Sequence, residues 1–200
     1  MTGIFGNSSR SNSVSDHSPF KQAVGIDDLA VYIPQLYLPL EGEFSRRREI
    51  DPGKLTRGIG IERMAIPDAH EDAATMAAMS LLELMRRCDL LPEDIGKIHV
   101  GTESAVDEAK AIGTYVIGML EKVYGPGSFQ HCSTVEFKSA CIGTTLALES
   151  ISYWVAADEG ERVGVVIASD VAKYPLGSSG EYTQGAGSVS LLVKKNPRMA

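Results

Sequence analysis

One cysteine of this sequence lies where a catalytic nucleophile would be placed. Cys141 follows a predicted strand and precedes a predicted helix, and its neighbours Ala140, Gly143 and Thr144 are small. Backbone amides and the helix dipole at such a position favour a thiolate and can bind an acyl oxygen. The small neighbours would let a bulky thioester reach the sulfur. A buried cysteine acting as a small apolar side chain is the competing interpretation, and the residues alone leave both open.

A carboxylate suited to proton transfer lies in segment 100–105, Val-Gly-Thr-Glu-Ser-Ala. Glu103 comes just after the carboxyl end of a predicted parallel strand, where α/β sheets collect their active sites. We expect it to be partly buried and able to remove a proton from carbon. The alternative is an acid at the start of a helix, where the dipole favours negative charge. Asp107 and Glu108 follow on the next turn.

The histidines suggest no site of their own. His17 lies in a leader rich in Ser and Asn, His70 in a predicted helix start, and His99 in the middle of a predicted strand, while His131 adjoins Cys132. Their spacing fits no metal motif. We therefore predict no metal site and no evident histidine partner for the candidate nucleophile.

The overall charge bears on possible partners. The chain has 200 residues, is 44% hydrophobic and carries a formal net charge of -7, which argues against general affinity for nucleic acid. A local cluster, Arg46, Arg47 and Arg48, could still hold a phosphate or an acidic carrier. An exposed basic turn is the alternative interpretation of that cluster.

The cysteine count and the hydropathy indicate the compartment. Three cysteines without repeated spacing favour a reducing environment, and no apolar run approaches the roughly 18 residues that would predict a membrane span. Residues 1–22 lack the apolar core of a signal peptide, so we interpret them as a flexible leader before a domain at 23–200. A cytoplasmic protein that does not enter the membrane is expected.

The elements that must position these groups alternate along the chain. Strands are predicted at residues 24–33, 98–101, 135–138, 162–168 and 188–193. Helices are predicted from a capping box at residues 68–71 to residue 88, at 109–124, and at 140–157. This order predicts an α/β fold with a five-stranded, mostly parallel sheet and helices on both faces. The Gly/Ser loop 177–187 would let the last strand pair antiparallel at the sheet edge, whereas residues 46–61 show no clear pattern.

Several segments resemble one enzyme family. Segment 100–110 resembles the glutamate segment of bacterial hydroxymethylglutaryl-CoA synthases, and segment 137–145, Phe-Lys-Ser-Ala-Cys-Ile-Gly-Thr-Thr, resembles their nucleophile segment. Segments 167–174 and 180–187 resemble their next strand and active-site loop. These motifs occur in the family's order within residues 24–195. The resemblance implies that the chain is the amino-terminal half of a thiolase-like fold.

The same resemblance implies a chemistry and a set of roles. Cys141 would carry an acetyl group from acetyl-CoA, and Glu103 would deprotonate its methyl group for addition to acetoacetyl-CoA. Tyr174 matches the family's active-site tyrosine, and Gly143 and Thr145 are expected to contact the substrate. No cofactor is implied beyond CoA thioesters as substrates. A homodimer in the mevalonate pathway of isoprenoid biosynthesis is expected.

The sequence also departs from the family pattern, which keeps other functions open. Ile142 stands where bacterial relatives usually carry an aromatic residue, and Ser139 where Gln, Glu or Asn is more familiar. The family's catalytic histidine comes from a second half, and no histidine of this chain matches it. The alternatives are a β-branching synthase that uses carrier-protein thioesters, a relative of ketoacyl synthase III, and a non-catalytic half that binds acyl-CoA or a partner chain. An exposed apolar face is expected if the second half is absent.

Overall fold

A five-stranded sheet organises residues 22–199, the part of the chain that the computed structural model describes. In chain order the strands are β1 (Val24–Tyr32), β2 (Leu36–Pro39), β3 (Arg63–Ile66), β4 (Ile95–Gly101), β5 (Ser133–Phe137), β6 (Val163–Ala172) and β7 (Gly185–Lys195). The α-helices are α1 (Glu43–Arg47), α2 (Ala73–Arg87), α3 (Ile112–Tyr124) and α4 (Gly143–Ala157). Residues 1–21, nearly all of the predicted leader, lie outside the described residues.

The strand order is β1-β7-β6-β4-β5. β6, β4 and β5 form parallel ladders, whereas β7 pairs antiparallel with both β6 and β1. β1 consequently runs in the same direction as β6, and β7 is the strand of this sheet that runs opposite. The α/β class and the mostly parallel sheet are confirmed. The expected edge position of the last strand is wrong, because β1 covers the outer side of β7.

Two helices pack on one side of the sheet, which we call the closed face. Apolar residues of α2 and α3 join the alternate side chains of the central strands in an extensive buried cluster. The strand contributors include Ile98, Val100, Val165 and Ile167. Since stabilisation scales with the apolar area removed from water, this cluster is the main source of the fold's stability.

Helix α4 packs on the opposite side, which we call the open face. Its residues Ala147, Ile151 and Val155 meet Val166 and Val193 of the sheet in a smaller cluster. Helices therefore lie on both faces, as predicted.

Part of the open face is both apolar and accessible. Ala30 of β1 points into the closed-face core, so strand alternation turns Leu29 and Val31 to the other side. These two residues are 38% and 49% exposed. Ile142 and Leu146, at the start of α4, are 55% and 36% exposed. Within the described residues, this part of the open face therefore leaves large apolar residues accessible.

Helix α2 begins later than the sequence predicted. Its N-cap is Asp72, whose carboxylate accepts a hydrogen bond from the Thr75 amide at 2.7 Å, while the Thr75 hydroxyl accepts from the Asp72 amide at 2.8 Å. Asp68 and Glu71, the predicted capping box, close a separate turn before the helix. Both segments carry an Asp followed three residues later by an acceptor, so the pattern alone could not choose between them. The predicted apolar face of α2 is buried, at Ala74, Ala78, Leu81 and Met85, and Cys88 packs beside it.

Residues 36–66 form a small unit of their own, which we call the satellite unit. β2 and β3 pair antiparallel, and α1 with a π-helical segment, Lys54–Ile59, lies between them in the chain. Leu40, Phe44, Leu55 and Met64 make a separate apolar cluster. The sequence left residues 46–61 undefined because this cluster draws on residues spaced with neither helical nor strand periodicity. None of the helices within residues 22–199 has the length and apolar character to cross a membrane.

Candidate active site

Cys141 and Glu103 meet at the carboxyl end of two neighbouring parallel strands. The register pairs Gly101, the last residue of β4, with Phe137, the last residue of β5, so the loops that follow leave the sheet side by side. The Cys141 thiol donates a hydrogen bond to Glu103 Oε1 across 3.6 Å. Both residues are exposed, contrary to the expected partial burial of Glu103, because no described element covers this end of the open face. A thiol and a carboxylate are thereby in contact at this end of the sheet.

The turn that presents Cys141 is tight and conformationally unusual. Ala140 has a positive φ of 45°, and the Gly143 amide donates to the Ala140 carbonyl at 3.0 Å. A left-handed conformation costs a non-glycine residue about 1 kcal/mol or more, and it ends the extended segment abruptly. Helix α4 consequently begins at Gly143 rather than at residue 140 as predicted. Cys141 stands just before the helix N-cap, Ile142, and is exposed.

Two glycines allow the helix to approach the strand ends closely. A Cβ on Gly101 would lie 2.5 Å from the Thr144 amide nitrogen, and one on Gly143 would lie 2.7 Å from the Phe137 carbonyl oxygen. Contacts that short do not occur with a side chain present. The start of α4 can therefore rest on β4 and β5 only because both positions are glycine. Gly143 is buried in this contact and Thr145 is exposed, and their predicted contact with substrate stays a prediction.

Asp170, near the end of β6, holds the Glu103 turn. Its Oδ1 accepts hydrogen bonds from the Glu103 amide at 2.6 Å, the Thr102 hydroxyl at 2.9 Å, and the amide and hydroxyl of Ser104 at 3.1 and 2.9 Å. The Ser104 hydroxyl in turn accepts from the Val171 amide at 2.8 Å. Asp170 was not among the residues predicted for the site. An acid directly after an apolar strand, at the same sheet edge, was the signal available.

Asp107 anchors the other end of the Glu103 loop. Its carboxylate accepts from the amides of Ala109 and Lys110 at 2.8 and 2.9 Å and from the Tyr115 hydroxyl at 2.8 Å. These bonds, the Lys110 amide first, lower the pKa of Asp107 to about 2. They also keep residues 109–111 out of the helix, so α3 begins at Ile112 rather than at residue 109 as predicted.

Tyr174 lies on the loop that leaves β6. Its amide donates to the side-chain oxygen of Gln184 at 2.7 Å, and its ring lies against Gly180, where a Cβ would come within 3.0 Å. The residue is 47% exposed. Within residues 22–199 no hydrogen bond joins Tyr174 to Cys141, and its predicted role beside Cys141 stays a prediction.

The remaining titratable residues divide into buried and exposed ones. His99 is 4% exposed beneath α4, with its ring 5.3 Å from that of Phe137, and burial lowers its pKa. His70 and His131 are exposed, whereas His17 lies outside the described residues. Burial raises the pKa of Cys132 to about 12. Within residues 22–199 no three His, Cys, Asp or Glu side chains are grouped to hold a metal ion.

The arginine cluster is already paired within the chain. Arg46 and Arg47 both form ion pairs with Glu43 on the same short helix, and Arg48 pairs with Glu181. The structure therefore offers no support for a free phosphate site at these residues. Arg48 differs from its neighbours because its partner lies in the loop after β6.

Comparison with known proteins identifies the family to which these features correspond. Residues 20–197 match the family model described as hydroxymethylglutaryl-coenzyme A synthase N terminal. A hydroxymethylglutaryl-CoA synthase of Haloferax volcanii is 42% identical over 176 residues, which are 88% of this chain and 39% of that protein.

Solved structures agree with the sequence match. A structure described as MvaS in complex with 3-hydroxy-3-methylglutaryl coenzyme A superposes with a TM-score of 0.79 at 37% identity, covering 88% of this chain and 41% of that one. The curacin biosynthetic pathway HMG synthase in complex with holo donor-ACP has a TM-score of 0.74 at 26% identity, covering 87% and 42%. The chain thus spans about two fifths of the length of these relatives.

Proposed function

This chain belongs to the hydroxymethylglutaryl-CoA synthase family, and we propose that it supplies the nucleophile and the base for condensing acetyl-CoA with acetoacetyl-CoA. The product would be 3-hydroxy-3-methylglutaryl-CoA, formed through an acetyl-cysteine intermediate. The observation that carries this proposal is the contact of Cys141 with Glu103, 3.6 Å apart at the end of two parallel strands.

Acetylation of Cys141 is the first step. The thiolate attacks the carbonyl carbon of acetyl-CoA, and CoA leaves as its thiol once it has taken up a proton. The position of Cys141 before the first turn of α4 supports this role, because the positive end of the helix dipole stabilises a thiolate and the oxyanion of the tetrahedral intermediate. The exposed sulfur can be reached by a thioester.

Carbon–carbon bond formation is the second step. The Glu103 carboxylate takes a proton from the methyl group of acetyl-Cys141, and the resulting carbanion attacks the ketone carbon of acetoacetyl-CoA. The ketone oxygen becomes an alkoxide that takes up a proton. Water then cleaves the thioester, which releases the product and regenerates the Cys141 thiol. Asp170 and Asp107 support the role of Glu103 because they hold its loop at both ends.

A second half of the fold would supply the proton donor for that alkoxide. The family resemblance assigns the catalytic histidine to a second half, and no described histidine makes a hydrogen bond with Cys141 or Glu103. The apolar residues exposed on the open face support a covering partner at this side of the sheet. We propose that the remaining part of a full-length family member packs there. A homodimer and a cytoplasmic location remain predictions.

Carrier-protein thioesters are the alternative substrates. The curacin pathway relative was solved with a donor acyl carrier protein, and it superposes on this chain almost as well as MvaS does. The greater identity with MvaS favours CoA thioesters. Ile142, exposed beside Cys141 where an aromatic residue is usual in bacterial relatives, could reshape the acceptor pocket.

Acetylation can be tested directly by intact mass spectrometry after exposure to acetyl-CoA or to an acetylated carrier protein. We expect one hydroxylamine-labile acetyl group, mapped to Cys141 and formed faster from acetyl-CoA. Cys141→Ser should abolish it, whereas Cys88→Ser should leave it unchanged. No adduct on folded protein, with or without a second-half fragment of a relative, would favour a non-catalytic binding half.

The role of Glu103 requires the later step. In the presence of a second-half fragment, Glu103→Ala should still accept acetyl groups on Cys141 but should form no 3-hydroxy-3-methylglutaryl product. Condensation by this variant at the unmodified rate would refute the assignment of Glu103 as the base.

A further inference from the structure

A largely buried ion pair joins the satellite unit to the loop that leaves β6. Arg48 Nε and Nη2 donate to Glu181 Oε2 and Oε1 at 2.7 and 2.6 Å. The Glu181 side chain is 5% exposed and that of Arg48 is 31% exposed. A bidentate pair fixes orientation as well as distance, and removing one partner from such a site leaves an uncompensated charge.

Glu181 organises the loop on which it lies. Its Oε2 also accepts a hydrogen bond from the Gly177 amide at 2.7 Å. The neighbouring Gly180 provides the space for the Tyr174 ring, and Gln184 accepts from the Tyr174 amide. Both the backbone and the ring of Tyr174 are therefore held by the far end of this loop, residues 177–184.

The other partner is anchored in the satellite unit. The Arg48 guanidinium lies 5.7 Å from the centre of the Phe44 ring, and Phe44 belongs to the satellite cluster, against which Tyr182 of the loop also packs. Between the loop and the satellite unit lies a cavity of about 510 Å³ that is lined by Leu38, Met64 and Leu176, among others. Because much of the loop borders this cavity and Tyr182 supplies its apolar packing, the polar contacts of Glu181 contribute strongly to the position of the loop.

We propose that Arg48 is a positioning residue for Tyr174 that acts through Glu181. This inference rests on the proposed function in one respect, the assignment of Tyr174 to the acyl pocket. The pair holds residues 177–184 in one arrangement, that arrangement holds Tyr174, and Tyr174 shapes the pocket that an acetyl donor enters. A residue of the satellite unit, 133 positions from Glu181 in the sequence, thereby affects acyl transfer without touching the substrate.

The arginine cluster provides its own matched control. Arg46 lies in α1, which ends one residue before Arg48, and its ion pair is with Glu43, three residues away and exposed. Arg46→Met and Arg48→Met each remove one positive charge, from positions two residues apart, and only the second should affect the loop. Comparing the two variants thus separates the effect of losing the Arg48–Glu181 ion pair from a general effect of losing one positive charge.

Hydrogen exchange is the first measurement. In Arg48→Met the Tyr174 and Gly177 amides should exchange at least about tenfold faster than in the unmodified chain, and in Arg46→Met at the unmodified rate. Should Arg48→Met fail to fold, Glu181→Gln is the second variant, since it keeps the side-chain shape and removes the charge. Unchanged exchange of the Tyr174 amide in the folded variant would overturn the proposal.

A double-mutant cycle on the acetylation of Cys141 is the second measurement. Arg48→Met should slow acetylation roughly tenfold at saturating acetyl-CoA, because a misplaced pocket residue lowers the rate of the bound complex. In a Tyr174→Ala background the same substitution should have no further effect, whereas a merely structural role would give additive losses. Additive losses, or no loss, would overturn the positioning role. Absence of acetylation in the unmodified chain would refute the proposed function instead. The exchange rate of the Tyr174 amide in Arg48→Met would still decide whether the Arg48–Glu181 pair holds Tyr174.

Discussion

The two faces of the sheet are held together in different ways. On the closed face, two helices and the central strands share an extensive cluster of fully buried aliphatic side chains. On the open face a single described helix, α4, covers part of the sheet, and apolar side chains such as Val31 and Ile142 remain about half exposed. Near the open face, groups are positioned largely by hydrogen bonds, as when one oxygen of Asp170 accepts from three consecutive residues.

The closed face therefore provides most of the packing that stabilises the fold, whereas the open face carries the candidate reactive groups. Close packing on the closed face tolerates little change, since a cavity or an added methylene group is costly. On the open face, the Cys141 thiol and the Glu103 carboxylate are accessible, and hydrogen bonds hold the loops that carry them. Substitutions on the closed face should therefore reduce stability, and substitutions at the open end should change reactivity and local order.

The largest contrast is expected from one pair of leucines. Leu81 on α2 is fully buried in the closed-face cluster, so Leu81→Ala should lower the free energy of unfolding by about 3 kcal/mol. Leu146 on α4 is 36% exposed, and Leu146→Ala should cost less than about 1 kcal/mol. Denaturant titration measures both. Equal losses would mean that the open face contributes as much packing as the closed face.

The cysteines provide a second contrast. Cys141 is exposed at the open face, whereas Cys88 and Cys132 pack against the closed-face cluster, and burial raises the pKa of both. Because the thiolate is the reactive form, iodoacetamide should alkylate Cys141 roughly a hundredfold faster than Cys132 near neutral pH. Peptide mapping after timed quenching gives the three rates. Faster labelling of Cys88 or Cys132 would contradict this assignment of the faces.

The third contrast concerns local order at the open end. Asp170→Ala removes the acceptor shared by Thr102, Glu103 and Ser104, so the Glu103 and Ser104 amides should exchange roughly tenfold faster. The amides of β4 itself should be little affected. Ser104→Ala, which removes one donor to Asp170, is the matched control and should have a smaller effect. If amide exchange became equally faster in all strands of the sheet, Asp170 would instead support the whole fold.

The smallest expected effect is a dependence of stability on pH. Burial lowers the pKa of His99 below its ordinary value of about 6.5, the nearby Lys97 charge adds to this, and the Ala147 backbone opposes it slightly. Below about pH 6.5, His99 takes up a proton in the unfolded chain but resists protonation in the folded chain. The free energy of unfolding should therefore fall as the pH decreases from about 6.5. Above it both states are neutral at this residue, and His99 contributes no slope.

His99→Leu should remove that part of the acid destabilisation. Unfolding free energies measured between about pH 5 and 8 for both proteins would show it as a shallower slope for the variant. Equal slopes would assign the acid sensitivity to other groups.

Much of the fold was predictable from particular residues. The buried face of α2 recurs with helical spacing from Ala74 to Met85, and the unbroken apolar run of residues 163–167 predicted a strand covered on both sides. The starts of the helices were less predictable. Competing side-chain bonds decide them, such as those of Asp107 with the amides of Ala109 and Lys110. The satellite unit was missed because its apolar residues meet without a regular period.

Local pattern by itself determined the α/β class, the alternation of elements, and the positions of Cys141 and Glu103 at strand ends. Each of these depends on residues close together in the chain, where periodicity and glycine placement carry the information. Only the tertiary structure decided which groups meet. Cys141 and Glu103 are 38 residues apart, Glu103 and Asp170 are 67 apart, and Arg48 and Glu181 are 133 apart. Such contacts depend on strand order and register, which bring distant loops to one edge of the sheet and which no local pattern records.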